Sequence, residues 1–158
     1  MSLHAVEREI DPELTIPTYF RECEFATVGQ MVVDQYEVPA YKEVNPGLFT
    51  NITFPFLFGV MFGDVFSGGL LLFAGIYFCM APQTPGSMAA AVAPGRHFLL
   101  LMGFFSVFCG VIYNDFSSVS MYLFGDSCYN LPAVGFSNAT QKSDCVYPIG
   151  IDPVWYMS

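Results

Sequence analysis

The stretch TFPFLFGVMFGDVFSGGLLLFAGIYFCM, residues 53–80, carries one charged side chain, Asp64, within a long apolar run. A membrane-spanning helix needs about 20 predominantly apolar residues, and this stretch exceeds that length. We therefore place it in a lipid bilayer. A carboxylate in hydrocarbon is costly unless it is paired or hydrated, so Asp64 is a candidate functional residue.

The whole apolar run covers residues 47–82, which is too long for one crossing and short for two. A single helix of about 36 residues would measure roughly 54 Å, whereas the hydrocarbon layer is about 30 Å thick. Glycines on both sides of residues 64–67 mark a break in the run. The pattern favours a helical hairpin, and one long tilted or kinked helix is the alternative. The predicted segments are about 47–64, a turn at 64–68, and about 69–82.

A third membrane helix is predicted at about 97–117, after a connector rich in proline, glycine and alanine. Gly103, Ser106 and Gly110 lie three and seven residues apart and therefore share one helix face. Small residues let helices approach closely in lipid, and we expect these to pack within the chain rather than between copies. The predicted fold class is an all-α integral membrane protein. Its parts are a short cytosolic segment at 1–46, a membrane region at 47–124 with a helical hairpin plus a third transmembrane helix, and a lumenal loop at 125–158.

Charge separates the front of the chain from its middle. Only 12% of the 158 residues are charged, the mean hydropathy is +0.49, and the net charge is −9. Nine of the fourteen acidic residues lie in residues 1–48. Such acidity opposes binding to nucleic acid, because phosphates repel it. Apolar residues spaced by three and four between Phe25 and Tyr36 predict a short amphipathic helix there.

The polar segment 125–158 contains Cys128, Cys145 and a sequon that begins at Asn138. Disulfides persist and sequons are glycosylated in an oxidising lumen. Three crossings put this segment opposite the N-terminus, so we predict a cytosolic N-terminus, a lumenal tail, a Cys128–Cys145 disulfide and a glycosylation candidate at Asn138. A second sequon begins at Asn51, at the entry of a membrane helix, and we do not expect it to be used.

The remaining polar candidates favour structure over catalysis. Asp64 could relay protons, pair with a cation on another helix, or sit hydrated at the hairpin tip, and its place near the turn favours a structural role. Asn114 and Asp115, at the end of the third helix, suit capping or interfacial hydration. The sequence contains no nucleophile triad, phosphate loop or metal-ligand spacing, so we expect no catalytic residue, metal or other cofactor.

Five segments of the sequence resemble one protein family. They are PTYFR (17–21), YKEVNPGLFT (41–50), TFPFLFGVMFGD (53–64), RHFLLLMGFFSVFCGVIYNDFS (96–117) and YPIGIDPVWYMS (147–158). In this order they are similar to subunit a of the eukaryotic vacuolar-type H⁺-ATPase, the V-ATPase 116 kDa subunit family. The resemblance runs from about residue 16 to the end, with gaps in the connector and the lumenal loop.

The resemblance implies that the chain joins the end of a cytosolic N-terminal domain to the first three of eight membrane helices. It implies a fragment or short form of the membrane stator subunit of a rotary proton pump, which scaffolds proton translocation and assembly in an acidic endomembrane organelle and is no enzyme on its own. The implied partners are the proteolipid c-ring, other V-ATPase membrane and stalk subunits, and membrane lipid. The alternative is a standalone three-pass membrane protein that modulates assembly without transport of its own.

Three features of the family are missing from these 158 residues. The family's essential arginine and most of both proton half-channels belong to C-terminal membrane helices. The family's Gly-Asp-x-Gly-His-Gly turn is Gly63-Asp64-Val65-Phe66-Ser67-Gly68 here, so its middle glycine and its histidine are absent. The family's YNDxFSK motif ends in Ser117-Ser118 in this chain, without its lysine. We therefore expect no proton-relay partner close to Asp64 in the sequence.

Overall fold

A computed structural model describes residues 18–21, 23–130 and 140–156. The described residues are mainly helical, as predicted. The α-helices are α1 (Thr27–Asp34), α2 (Pro46–Met61), α3 (Val65–Met80), α4 (Met88–Val92) and α5 (Arg96–Tyr113). Short 3₁₀ helices cover Ala93–Gly95 and Pro153–Tyr156, and the two-residue strands are β1 (Asp115–Phe116), β2 (Val119–Ser120), β3 (Tyr129–Asn130) and β4 (Thr140–Gln141).

The break between α2 and α3 lies at residues 62–64, earlier than the predicted turn at 64–68. α3 begins directly after Asp64, whose side chain caps it. Because this cap starts the helix at Val65, Gly68 and Gly69 lie inside α3 rather than in the turn.

α5 is the central one of the three apolar helices α2, α3 and α5. It packs against both α3 and α2, whereas α2 and α3 make few contacts with each other. Together with α4 and the 3₁₀ turn it forms a continuous helix of 26 residues, Met88–Tyr113, and within the described ranges this helix alone is long and apolar enough to cross a membrane. Only 28% of the most apolar 18-residue stretch of this helix is buried. The core helix of a soluble protein, in contrast, is mostly buried. α2 and α3 are apolar but have 16 residues each.

Small residues bring α3 and α5 into backbone contact. A Cβ atom on Gly103 would lie 2.4 Å from the Leu72 backbone nitrogen, and one on Gly110 would lie 2.5 Å from that of Val65. Ser106, on the same face of α5, is 2% exposed. This face of α5 therefore packs against α3 within the chain.

The chain after α5 carries strands that the predicted all-α class did not include. α5 ends at Tyr113, short of the predicted residue 117, because Asn114 adopts a left-handed backbone with φ of 58°. β1 then pairs antiparallel with β2, and β3 pairs antiparallel with β4. Strands of two residues carry no readable hydrophobic alternation, which is why the sequence pattern did not reveal them.

α1 packs across the start of α2. Asn45 caps α2 by accepting a hydrogen bond from the Gly47 N–H at 2.8 Å, and Pro46 occupies the first helical position. A Cβ atom on Gly29 of α1 would lie only 2.3 Å from the Gly47 carbonyl oxygen. The two helix backbones therefore touch directly at this crossing.

Candidate functional site

The Asp64 carboxylate holds the α2–α3 turn against the loop that follows α5. Its Oδ1 accepts hydrogen bonds from the backbone N–H groups of Phe66 at 3.0 Å and Ser117 at 2.7 Å. Its Oδ2 accepts from the Ser67 N–H at 3.0 Å and from the Ser67 hydroxyl at 2.6 Å. The bonds from residues 66 and 67 cap α3, whose dipole also favours negative charge at this end. The Ser117 bond is tertiary, so one carboxylate both starts α3 and fastens it to the β1–β2 loop.

These hydrogen bonds determine the charge of Asp64, which lies in the turn and outside both helices. Burial raises the pKa of this carboxyl, but hydrogen bonds from Ser117, Ser67 and Phe66 outweigh burial and lower the pKa from 3.8 to about 2. Asp64 is therefore ionised at neutral and mildly acidic pH. Among the described residues it forms no ion pair, so its charge is stabilised by hydrogen bonds. Ser67 occupies the position of the histidine in the family's Gly-Asp-x-Gly-His-Gly motif, and it donates two of these hydrogen bonds.

Two hydroxyl groups of α5 bind the other side of the same turn, and sequence reasoning had not assigned them this role. Ser106 Oγ donates to the Phe62 carbonyl at 2.5 Å, and Tyr113 Oη donates to the Val60 carbonyl at 3.1 Å. The last carbonyl groups of a helix lack partners within that helix, so these hydroxyls satisfy the end of α2. We define the turn cluster as Asp64, Ser67, Ser106, Tyr113 and Ser117.

Asn114 closes α5 and fastens the following chain to it. Its side chain is 0% exposed, and its Nδ2 donates to Tyr147 Oη at 2.9 Å and to the Ile151 carbonyl at 2.8 Å. Asparagine tolerates the left-handed backbone that ends the helix. Asp115 instead accepts a local bond from the Ser118 N–H at 2.8 Å and is half-buried. The structure therefore gives Asn114 a buried capping position, and it places Asp115 at the start of β1, opposite Ser120 of β2.

The tail is fastened by a disulfide and a second carboxylate. The disulfide joins Cys128 to Cys145, with their Cα atoms 5.4 Å apart. Asp152 is buried and accepts hydrogen bonds from the N–H groups of Cys128 at 2.9 Å and Val154 at 3.0 Å. Burial raises the pKa of Asp152, but its hydrogen bonds and then the charge of Lys142 lower that pKa overall. We define the tail clasp as Cys128, Cys145 and Asp152.

Removal of the disulfide is expected to loosen the tail and leave the helices intact. The double substitution Cys128→Ser and Cys145→Ser opens a loop of about 18 residues, for which the chain-entropy model gives roughly 3 kcal/mol. We expect faster proteolysis of residues 125–156 and unchanged helical circular dichroism. Cys79→Ser is the control, because Cys79 is a free cysteine of α3. Equal cleavage rates in both variants, or peptide mapping that finds both wild-type thiols free, would contradict this prediction.

Of the remaining sequence candidates, Asn138 lies outside the described residues. Asn51 is 0% exposed, so its sequon is inaccessible in the folded chain. Within the described residues, no group of three or more His, Cys, Asp or Glu side chains is placed to hold a metal ion. The chemistry that the turn cluster and tail clasp offer is the stabilisation of a helical junction by hydrogen bonds and fixed charge.

The sequence as a whole matches one family model. The model of the V-type ATPase 116kDa subunit family covers residues 1–158. The chain belongs to this family. The resemblance of the five sequence segments to this family is therefore confirmed.

Three curated relatives show how much of a family member this chain represents. V-type proton ATPase subunit a3 of Arabidopsis thaliana is 43% identical over 151 residues, which cover 90% of this chain and 18% of the relative. The Golgi isoform of V-type proton ATPase subunit a from Saccharomyces cerevisiae is 39% identical over 148 residues, with 89% and 16% covered. V-type proton ATPase 116 kDa subunit a 4 of Homo sapiens is 33% identical over 183 residues, with 99% and 22% covered. The chain thus spans about a fifth of the length of these V-type ATPase subunits.

Proposed function

We propose that this chain serves in the membrane stator of a rotary V-type proton pump, where it joins the cytosolic part of subunit a to its first membrane helices. Membership of the V-type ATPase 116kDa subunit family supports this role. The matched relatives are V-type proton ATPase a subunits, one of them a Golgi isoform, which supports an endomembrane location. The proposed partners are the proteolipid ring, the other membrane and stalk subunits, and lipid.

The direct backbone contact between α1 and α2 carries this proposal. At the Gly29–Gly47 crossing no side chain separates the two helices, so there is no compliant layer between them. The Arg96 guanidinium also pairs with the Glu24 carboxylate, which links the residues before α1 to the start of α5. This pair is partly exposed and contributes little stability by itself. A stator subunit must hold its cytosolic and membrane parts in a fixed relation, and a direct backbone crossing between α1 and α2 supports such a role.

We propose that α2, α3 and α5 all cross the bilayer. α2 and α3 are about 24 Å long at 1.5 Å per residue, somewhat less than the roughly 30 Å hydrocarbon layer, and bilayers thin locally around short helices. Large side chains on α3 face outward, with Phe73 79% and Met80 80% exposed. An apolar surface of this kind needs lipid or a neighbouring helix to cover it.

We further propose that α1 is cytosolic and that the turn cluster and tail clasp are lumenal. Three crossings place residues 1–46 and 125–158 on opposite sides, with 47–124 as the membrane region. The disulfide supports a lumenal tail, because disulfides persist in oxidising compartments. Arg96, at the α1 end of α5, agrees with the excess of positive charge on the cytosolic side.

Co-purification tests the stator role. An epitope-tagged chain in cells that contain a V-type ATPase should recover proteolipid-ring and stalk subunits after mild solubilisation. Gly29→Ala should lower this recovery, because its Cβ would meet the Gly47 carbonyl at 2.3 Å. Gly95→Ala is the matched control, because its Cβ would lie 3.6 Å from Val28 at an ordinary contact distance.

Recovery of neither ring nor stalk subunits would contradict the stator role and favour a standalone membrane protein.

In liposomes under a pH gradient the purified chain should show no proton flux above empty vesicles. The reason is that α2 and α3 contain no lysine or arginine that could displace a proton from a rotor carboxylate. The arginine of α5, Arg96, is its first residue and pairs with Glu24. An inhibitor-sensitive flux from the chain alone would show that it transports protons itself.

A further inference from the structure

An apolar groove lies between the end of α1 and the start of α2. It is open to the surface and has a volume of about 440 Å³, and its lining includes Val33, Val38, Val44, Glu37 and Glu43. Val38 is 59% exposed and Val44 is 76% exposed. Exposed apolar side chains with charged groups at their rim are a feature of interaction sites.

The wall of this groove is preformed. Glu43 Oε2 accepts a hydrogen bond from the Ala40 N–H at 2.8 Å. The Thr18 hydroxyl donates to the Ala40 carbonyl at 2.7 Å and accepts from the Lys42 N–H at 2.9 Å. These bonds tie the segment between α1 and α2 to the chain before α1. A wall that is already ordered loses little conformational entropy when a partner binds.

We propose that this groove binds a short segment of another protein in which an apolar anchor is flanked by lysine or arginine. Charge complementarity selects this occupant, because the exposed carboxylates of Glu37 and Glu43 line the groove and no lysine or arginine is among its described lining residues. Complementary charge steers encounter and suppresses wrong partners. A volume of about 440 Å³ is near the lower end of the roughly 300–1,000 Å³ typical of ligand pockets, so it suits one or two large side chains.

The same carboxylates disfavour three other occupants. Residues 1–17 carry four acidic residues and one arginine, so this part of the chain itself would be repelled. A second copy of the chain would bring a net charge of −9. An anionic lipid leaflet attracts basic segments and repels acidic ones. This inference goes beyond the stator role and does not rest on it.

Selection from a phage-displayed library of random 12-residue peptides tests the groove. The chain is displayed in nanodiscs, and empty nanodiscs remove peptides that bind lipid. We expect enrichment of peptides with an aromatic or aliphatic anchor beside lysine or arginine. The Kd of a selected peptide should weaken about tenfold in the variant Glu37→Gln with Glu43→Gln, and also in Val44→Asn.

The control variant is Asp126→Asn, which removes one charge from an exposed residue beyond α5 and should leave the Kd unchanged. Glu43→Gln keeps an acceptor oxygen for the Ala40 N–H, so the groove wall should survive. Enrichment of acidic peptides, absence of enrichment, or a Kd that is equal in all variants would overturn the proposal. Binding of the full chain in nanodiscs to anionic vesicles, abolished by Val44→Asn, would replace the peptide with a membrane surface.

Discussion

Asp64→Leu is expected to destabilise the chain by about 3 kcal/mol. Loss of the α3 cap contributes about 1 kcal/mol, and loss of a tertiary hydrogen bond to a charged group contributes a further 1.5–3 kcal/mol or so. The tertiary partner is the Ser117 N–H, 2.7 Å from the carboxylate. The free energy of unfolding of the purified chain, followed by circular dichroism during denaturant titration, measures this loss.

Asp64→Asn separates capping from charge. Asparagine keeps one acceptor oxygen and is itself a good helix cap, so we expect it to lose roughly half as much stability as leucine does. Asp115→Asn is the control, because Asp115 accepts a local bond from Ser118 beside the same loop. If asparagine at position 64 folds normally but stops pumping in a complete V-type ATPase, the structural role is wrong and a proton-relay role replaces it.

The hydrogen bonds of Asp64 also predict a pH dependence. A carboxyl whose pKa falls from 3.8 to about 2 on folding stabilises the folded state fully above its ordinary pKa. This contribution is lost as the pH falls from about 4 towards 2. We therefore expect the turn to stay intact at pH 5, and we expect wild type to lose more stability than Asp64→Asn between pH 4 and pH 2.

The apolar helices α2, α3 and α5 were predictable because apolar residues occupy all of their faces. Such a pattern indicates an apolar helix whatever elements pack against it. The position of the turn was not, because glycine marks both chain breaks and close helix contacts. Gly68 was interpreted as part of a turn, yet a Cβ there would lie 2.7 Å from the Ser106 hydroxyl of α5. A single sequence does not distinguish these two uses of glycine.

The turn cluster depends on contacts between residues that are far apart in the chain. Asp64 and Ser117 are 53 positions apart, and so are Val60 and Tyr113. The position of Asp64 next to a chain break suits a helix cap, but local patterns contain no information about which distant N–H group it also binds. The placement of α5 against both α2 and α3 was equally unpredictable, because hydrophobic periodicity does not give the order of helices in a layer.

Gly103→Val is expected to separate α3 from α5 and to cost at least about 2 kcal/mol of stability, since overpacking a close contact typically costs 1–3 kcal/mol. A Cβ at this position would lie 2.4 Å from the Leu72 backbone nitrogen and 2.5 Å from its Cα. Backbone atoms cannot rotate away as a side chain can, so the helices themselves must move apart.

Gly69→Val is the matched control, because it adds the same atoms to α3 at a site where nothing lies within 4 Å of the new Cβ. We expect it to be neutral, or to stabilise α3 slightly, because glycine is a poor helix former. Gly59→Val should again be costly, since its Cβ would lie 2.6 Å from the Phe105 backbone on the α2 side of α5. Resistance of the three variants to unfolding in a detergent titration measures these effects. Equal stability of Gly69→Val and Gly103→Val would mean that α5 is not held between α2 and α3 by backbone contact.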